Sequence, residues 1–178
     1  MIDETDIKIL SILQNNGRCY LAEIAREVNL SPPAVMERVR KLEARCIIKG
    51  YHALVDAHKV GKDITAFIGV SISHQRHING FSSQMVGYKD VLECHHVTGD
   101  ESFILKVKTA NTVSLERLLA EIRSMEGVTR TITKVVLSTC KEGDILVLGE
   151  DVSKLQIERK KFGSARRKKG LTSTLRNN

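Results

Sequence analysis

The sequence predicts an α+β chain: a helix-turn-helix unit, then a ferredoxin-like βαββαβ unit, then a basic tail. Three observations predict it. The first 50 residues place apolar side chains at helical spacing in three short bouts. After Tyr51 the pattern changes to strand-like alternation broken by two further helical stretches. Finally, residues 1 to 150 balance 19 Lys+Arg with 19 Asp+Glu, so the whole formal charge of +7 lies in the last 28 positions. A length of 178 residues suits one ordinary domain or two small ones and excludes a large multidomain enzyme.

The first helix is predicted to be capped by Asp3, to present Ile7, Leu10 and Leu13, and to stop at Asn15-Asn16-Gly17. The second runs from Leu21 to Val28 with Leu21, Ile24, Ala25 and Val28 on one face, and Asn29-Leu30 breaks it. The third opens at Ser31-Pro32-Pro33, where prolines cost nothing because a first helical turn has no partner for their missing N–H. A residue before proline avoids the αR region, so either Ser31 or Pro32 is the cap. Val35, Val39, Leu42 and Cys46 form its predicted buried stripe.

Three short helices with a tight turn between the last two describe a helix-turn-helix whose third helix reads DNA. Ser31, Pro33 and Ala34 at its start allow close approach to base edges, and Ala34, Glu37 and Arg38 are the candidates nearest bases. Arg40, Lys41 and Arg45 are candidate phosphate contacts. The alternative is a plain three-helix bundle with these charges on a solvated face, and Arg38 has a second possible role as the partner of a nearby acid.

Ile64 to Ile72 is the first predicted strand, Val91 to Thr98 the second, Ser102 to Lys108 the third and Val128 to Leu137 the fourth. A modest helix around Ile78, Phe81 and Met85 fills residues 76 to 87. A stronger one, capped by Asn111 or Thr112, carries Leu115, Leu118, Leu119, Ile122 and Met125 and ends at Glu126-Gly127. This order places both helices on one face of an antiparallel sheet, and a homodimer is the simplest cover for the other.

Cys19, Cys46, Cys94 and Cys140 are scattered, with no CxxC pair, and are expected to be free, mostly buried thiols. Of Cys94, His95 and His96, at most Cys94 and His96 share a strand face, too few for a metal site. No cofactor motif is present. The acidic start Met1-Ile2-Asp3-Glu4 does not read as a signal peptide, and no apolar run reaches a membrane span, so a cytoplasmic protein is expected. Residues 142–178 are expected to be a disordered tail, at most transiently helical near Val152 to Phe162.

The ordered set Asp3-x-x-Asp6-x-x-Ile9-x-x-x-Leu13, Asn16-Gly17-Arg18, Leu21-Ala22-Glu23-Ile24-Ala25, Leu30-Ser31, Val35-x-x-Arg38-Val39-x-x-Leu42-Glu43 and Ile48-x-Gly50-Tyr51 resembles the leucine-responsive regulator/AsnC (Lrp/AsnC, feast/famine) family of transcription regulators. Val97-Thr98-Gly99-Asp100 and the Glu126-Gly127-Val128 junction extend the likeness to about residue 141. The resemblance implies a winged-type helix-turn-helix over 1–50, a linker strand within 51–63, and a ferredoxin-like sensing and oligomerisation domain over 64–141. It further implies binding to double-stranded DNA as a homodimer that assembles to a tetramer or octamer, no cofactor, and an amino-acid effector bound near Thr98, Gly99, Asp100, Glu101 and Ser102. Many relatives carry an Asp before the aromatic here, whereas this chain has Ser102 before Phe103; either Asp100 or Glu101 substitutes from a shifted position, or the effector is different or absent and the loop is a purely structural turn. Two other readings stay open: an architectural DNA-binding protein of low sequence specificity, and, on the enzyme side, a relative of the sirohaem decarboxylases, which share the two-domain plan.

Overall fold

The computed structural model describes residues 2–143 and 145–149, so the predicted disorder of the tail beyond these lies outside the described residues. The chain divides into two compact units. One comprises the stretch up to Ala53 together with the described residues from Gly143 onward; the other is Leu54–Glu142. Gly143 and residues 145–149 thus belong with the N-terminal unit, where the sequence had placed them in the tail.

The first unit holds α1 (Glu4–Asn15), α2 (Leu21–Glu27) and α3 (Pro32–Ala44). Asp3 caps α1 in a reciprocal capping box with Asp6, whose carboxylate accepts the Asp3 N–H. The stripe facing inward is Asp6 and Ile9, flanked by half-buried Leu10 and Leu13; Ile7 is not part of it. Val28 closes α2, Asn29 takes the left-handed conformation at φ 54°, and the Leu30 N–H reaches the Ala25 carbonyl at 2.9 Å. That is a Schellman turn with Asn at its left-handed position, and it sets the tight entry into α3. Ser31 caps α3 from extended backbone at ψ 150°, which also meets the restriction on a residue before proline.

Ile9, Ile24, Ala25, Val35, Val39 and Leu42 close the core of this unit, at roughly 1.5–3 kcal/mol for each large side chain buried. Cys46 is not on that stripe. It sits past the Arg45 C-cap at φ 54°, while the Ile47 N–H bonds the Leu42 carbonyl at 2.9 Å, a second Schellman turn that leaves Cys46 exposed. None of the four cysteines is buried, against expectation, because each lies at a turn, an edge or a loop. No strand forms in this unit among its described residues, so the expected wing is missing.

The second unit is a four-stranded sheet in the order β2-β3-β1-β4, with β1 (Ile64–Ile72), β2 (Val91–His96), β3 (Phe103–Thr109) and β4 (Val128–Val135), all pairs antiparallel. α4 (Ile78–Met85) and α5 (Thr112–Arg123) lie on one face. There Ala66, Ile68 and Val70 meet Phe103, Leu105 and Val107 and the helix residues Phe81, Met85, Leu115, Leu118, Ile122 and Met125. Asn111 is the α5 cap. Gly127 adopts φ 86°, and a Cβ there would lie 2.6 Å from the His77 Cβ, so this turn accepts only glycine. The expected linker strand is absent: residues 51–56 form no ladder and a single 3₁₀ turn covers His58–Val60. A strand needs a neighbouring strand to take its N–H and C=O groups, and none of the described residues supplies one.

Candidate nucleic-acid interface and effector loop

With Val35, Val39 and Leu42 turned inward, α3 presents Pro33, Met36, Glu37, Arg40 and Lys41 to solvent. Ser31 holds the first turn by accepting the Ala34 N–H at 3.4 Å. Met36 was missed from the sequence as a candidate contact, although its place between Pro33 and Arg40 on a 3.6-residue helix put it on that face. Ala34, Glu37, Arg38, Lys41 and Arg45 line a shallow groove along one flank of α3, with Asp3 and Asp6 as its far wall.

Arg38 occupies the second of its two predicted roles. Its Nη1 donates to Asp3 Oδ2 and Asp6 Oδ1, both at 2.7 Å, which ties α3 to the start of α1. The two carboxylates hold the guanidinium charged, Asp3 foremost. Partial burial pushes the Asp3 carboxyl up, but the Asp6 N–H and Arg38 outweigh it and hold the group below its usual 3.8. Arg38 is thus held by two acids of α1, the second of the roles the sequence left open for it. Asp6 was the signal for this: a carboxylate at an inward position of a helix stripe requires a partner. Lys41 pairs with Glu37 one turn earlier, and that bond keeps the Glu37 carboxyl below its ordinary range. An exposed pair of this kind contributes little stability, so phosphate can displace it at small cost. Arg40 is exposed, and Arg45 closes the helix as its C-cap.

In the second unit the loop between β2 and β3 turns at Gly99, φ 119°. Thr98 and Asp100 are exposed, and the Asp100 carbonyl accepts the Ser71 hydroxyl at 3.3 Å. Ser102 is engaged in the sheet: its N–H donates to the Val70 carbonyl at 2.8 Å, and its hydroxyl accepts the Ile72 N–H at 3.1 Å. Glu101 lies flat on β1. A Cβ on Gly69 would be 2.7 Å from Glu101 Cγ, so the missing side chain at Gly69 makes room for the carboxylate. Glu101 lines a shallow hollow on the sheet face opposite the helices, with Phe67, Gly69, Ile104, Ile132 and Lys134. Of the two shifted carboxylates, Glu101 is the one facing an apolar surface.

On the same sheet face Lys106 binds Glu142 at 2.7 Å and Glu93 at 3.2 Å, which holds the Lys106 ammonium charged. Among the described residues no cluster of His, Cys, Asp and Glu has the make-up of a metal site, and no helix is long and apolar enough to cross a membrane. His96 instead stacks on Phe103 at 5.0 Å between ring centroids.

Comparison with known proteins matches residues 2–43 to the AsnC-type helix-turn-helix domain and residues 65–146 to the Lrp/AsnC ligand binding domain. The HTH-type transcriptional regulator FL11 of Pyrococcus horikoshii is 36% identical over 141 residues, covering 79% of this chain and 93% of that protein. The leucine-responsive regulatory protein of Escherichia coli K12 is 31% identical over 150 residues, 83% of this chain and 92% of its own length. Among solved structures, Escherichia coli AsnC superposes with a TM-score of 0.76 at 27% identity, covering 82% of this chain and 98% of that one. The transcriptional regulator NMB0573 of Neisseria meningitidis, solved as a complex with L-Met, gives 0.78 at 31% identity, with 83% and 97% covered.

Proposed function

The chain belongs to the Lrp/AsnC family of helix-turn-helix transcription regulators, and from that premise we propose how its own residues perform the task. α3 docks in the major groove with Ser31, Pro33, Ala34, Met36 and Glu37 toward base edges, while Arg40, Lys41 and Arg45 reach phosphates. The observation that carries this reading is the exposed face of α3, a helix tied to the start of α1 by the Arg38 bridge to Asp3 and Asp6.

The protein acts as a cytoplasmic homo-oligomer and is not an enzyme. Phe67 and Ile104 stand 39% and 37% exposed on the sheet face away from the helices, and Leu54 in the unpaired linker is 92% exposed. A second copy covers such surfaces without exposing new ones. NMB0573 is solved as a complex with L-Met; in this chain an amino acid binds near the β2–β3 loop with Glu101 as the carboxylate for its ammonium group. It changes regulation by binding one assembly state more tightly than another.

The test is an electrophoretic shift on the gene's own upstream region against random DNA at fixed salt, with and without each amino acid. Preference for the upstream DNA by at least about a thousandfold is expected of a specific reader, and equal binding to random DNA would overturn the reading in favour of an architectural protein. Glu101→Gln should retain DNA binding and lose the amino-acid response.

A further inference from the structure

The charges of α3 are divided unevenly along its length. Its first half exposes Pro32, Pro33, Met36 and Glu37, while Arg38 is taken up by Asp3 and Asp6. Glu37 is thus the exposed charge of the half from which a recognition helix touches base edges. The fold gives that acid little to do. Position 37 lies beyond the first turn, which the Ser31 hydroxyl caps and which holds no acidic residue, so neither capping nor the helix dipole uses the carboxylate. Its partner is Lys41 one turn on, and both side chains are 67% exposed, a pairing that contributes little to stability. The bond to Lys41 keeps the carboxyl below its usual range, so Glu37 is ionised at neutral pH. Glu43 differs: it accepts the Tyr51 hydroxyl at 3.0 Å and so ties the end of α3 to the chain that follows.

A carboxylate brought up to a polyanion is repelled unless it meets a hydrogen-bond donor there. Phosphates offer acceptors, so the donor has to be on a base edge. In the major groove cytosine presents its N4 amino group, adenine presents its N6 amino group beside the N7 acceptor, and guanine and thymine present acceptors. An ionised carboxylate accepts hydrogen bonds and donates none, so adenine N7 repels it where cytosine does not. We infer, on the basis of the docking of α3 proposed above, that Glu37 is a specificity-determining residue that accepts from the N4 amino group of a cytosine, and that Lys41 leaves it for a phosphate when DNA binds. Ala34, one turn earlier and lining the same groove as Glu37, is small enough to let the base edges approach. Lys41 exchanges one charged acceptor for another, a phosphate oxygen, and the exposed pair it leaves was worth little.

In the experiment, duplex oligonucleotides with a randomised centre are selected on the full chain. The enriched sequence is then varied one base pair at a time, and binding to each duplex is followed by fluorescence anisotropy at fixed salt. The same panel is run on Glu37→Ala, Glu37→Gln and Lys41→Ala; both positions are exposed and outside the core of the unit, so the variants keep the fold. The natural chain is expected to prefer cytosine at one position by about tenfold, within the range of a good base contact. Glu37→Ala is expected to level that position and leave the others unchanged. Glu37→Gln is expected to turn its preference to adenine, whose N6 and N7 match the acceptor and donor of the amide. Lys41→Ala is expected to weaken every sequence alike with the cytosine preference kept; loss of that preference overturns the exchange. A cytosine preference that survives Glu37→Ala, or a gain of affinity for all sequences alike in that variant, overturns the assignment of Glu37 to a base. If the natural chain enriches no sequence, the docking of α3 itself fails, a result distinct from an unchanged preference.

Discussion

Replacing Arg38 by alanine separates a clamp from a base contact. The guanidinium bridges Asp3 and Asp6 at 2.7 Å each, with the Asp6 side chain 10% exposed and that of Arg38 32% exposed. Losing one partner of a fully buried pair costs about 3–5 kcal/mol, and an exposed pair is worth at most about 1 kcal/mol. With one acid buried and the base a third exposed, solvent screening places the loss near 2 kcal/mol. For a small domain that lowers Tm by roughly 10 °C. Thermal unfolding followed by circular dichroism at 222 nm measures it, with Asp6→Asn and the double variant completing a cycle whose coupling is expected to reach about 1 kcal/mol or more. Below the transition, DNA affinity should stay within about twofold, since the side chain is committed inside the fold. An unchanged Tm together with a tenfold loss of affinity confined to one base position would refute the clamp and restore Arg38 as a reader of DNA.

Cys46 carries a left-handed backbone at φ 54° with an exposed side chain; Cys46→Gly relieves that strain and should raise stability by roughly 0.5–1 kcal/mol in denaturant unfolding. The Asp3 carboxyl is held below its ordinary 3.8 in the folded chain, so the stability it contributes is full above about pH 4 and is lost as pH falls through the lowered value. A Tm series from pH 6 to 2.5 should fall more steeply for the natural chain than for Arg38→Ala. Lys41→Ala should weaken binding to every DNA sequence alike and reduce the salt slope by about 1; a sequence-dependent effect would contradict its assignment to phosphate.

Most of the architecture was legible because it rests on local signals. Helix spacing, the Ser31-Pro32-Pro33 start and the alternation of Ile64 to Ile72 each report on residues a few positions apart, and β1 spans the stretch the pattern predicted. Errors arose where the answer depended on packing between helices or on where a helix closes. Ile7 and Ile9 are equally apolar, and only the packing of α1 against α2 and α3 buries Ile9 instead. Cys46 continues the spacing of Val39 and Leu42, but the helix has already closed through a turn whose bonds reach back to Leu42 and Glu43.

The sequence by itself determined the family, the succession of helices and strands along the chain and the surplus of charge beyond residue 150, because periodicity, caps and composition are written along the chain. Tertiary structure alone decided that Arg38 bridges Asp3 and Asp6, that Glu101 lies in the space Gly69 leaves open, and that Leu146 returns to Gln14 across 132 positions. The physical reason is shared by the two polar contacts, those of Arg38 and Gln14. A charged or polar group is satisfied by whichever partner the fold brings within about 3 Å, and neither composition nor spacing states that distance.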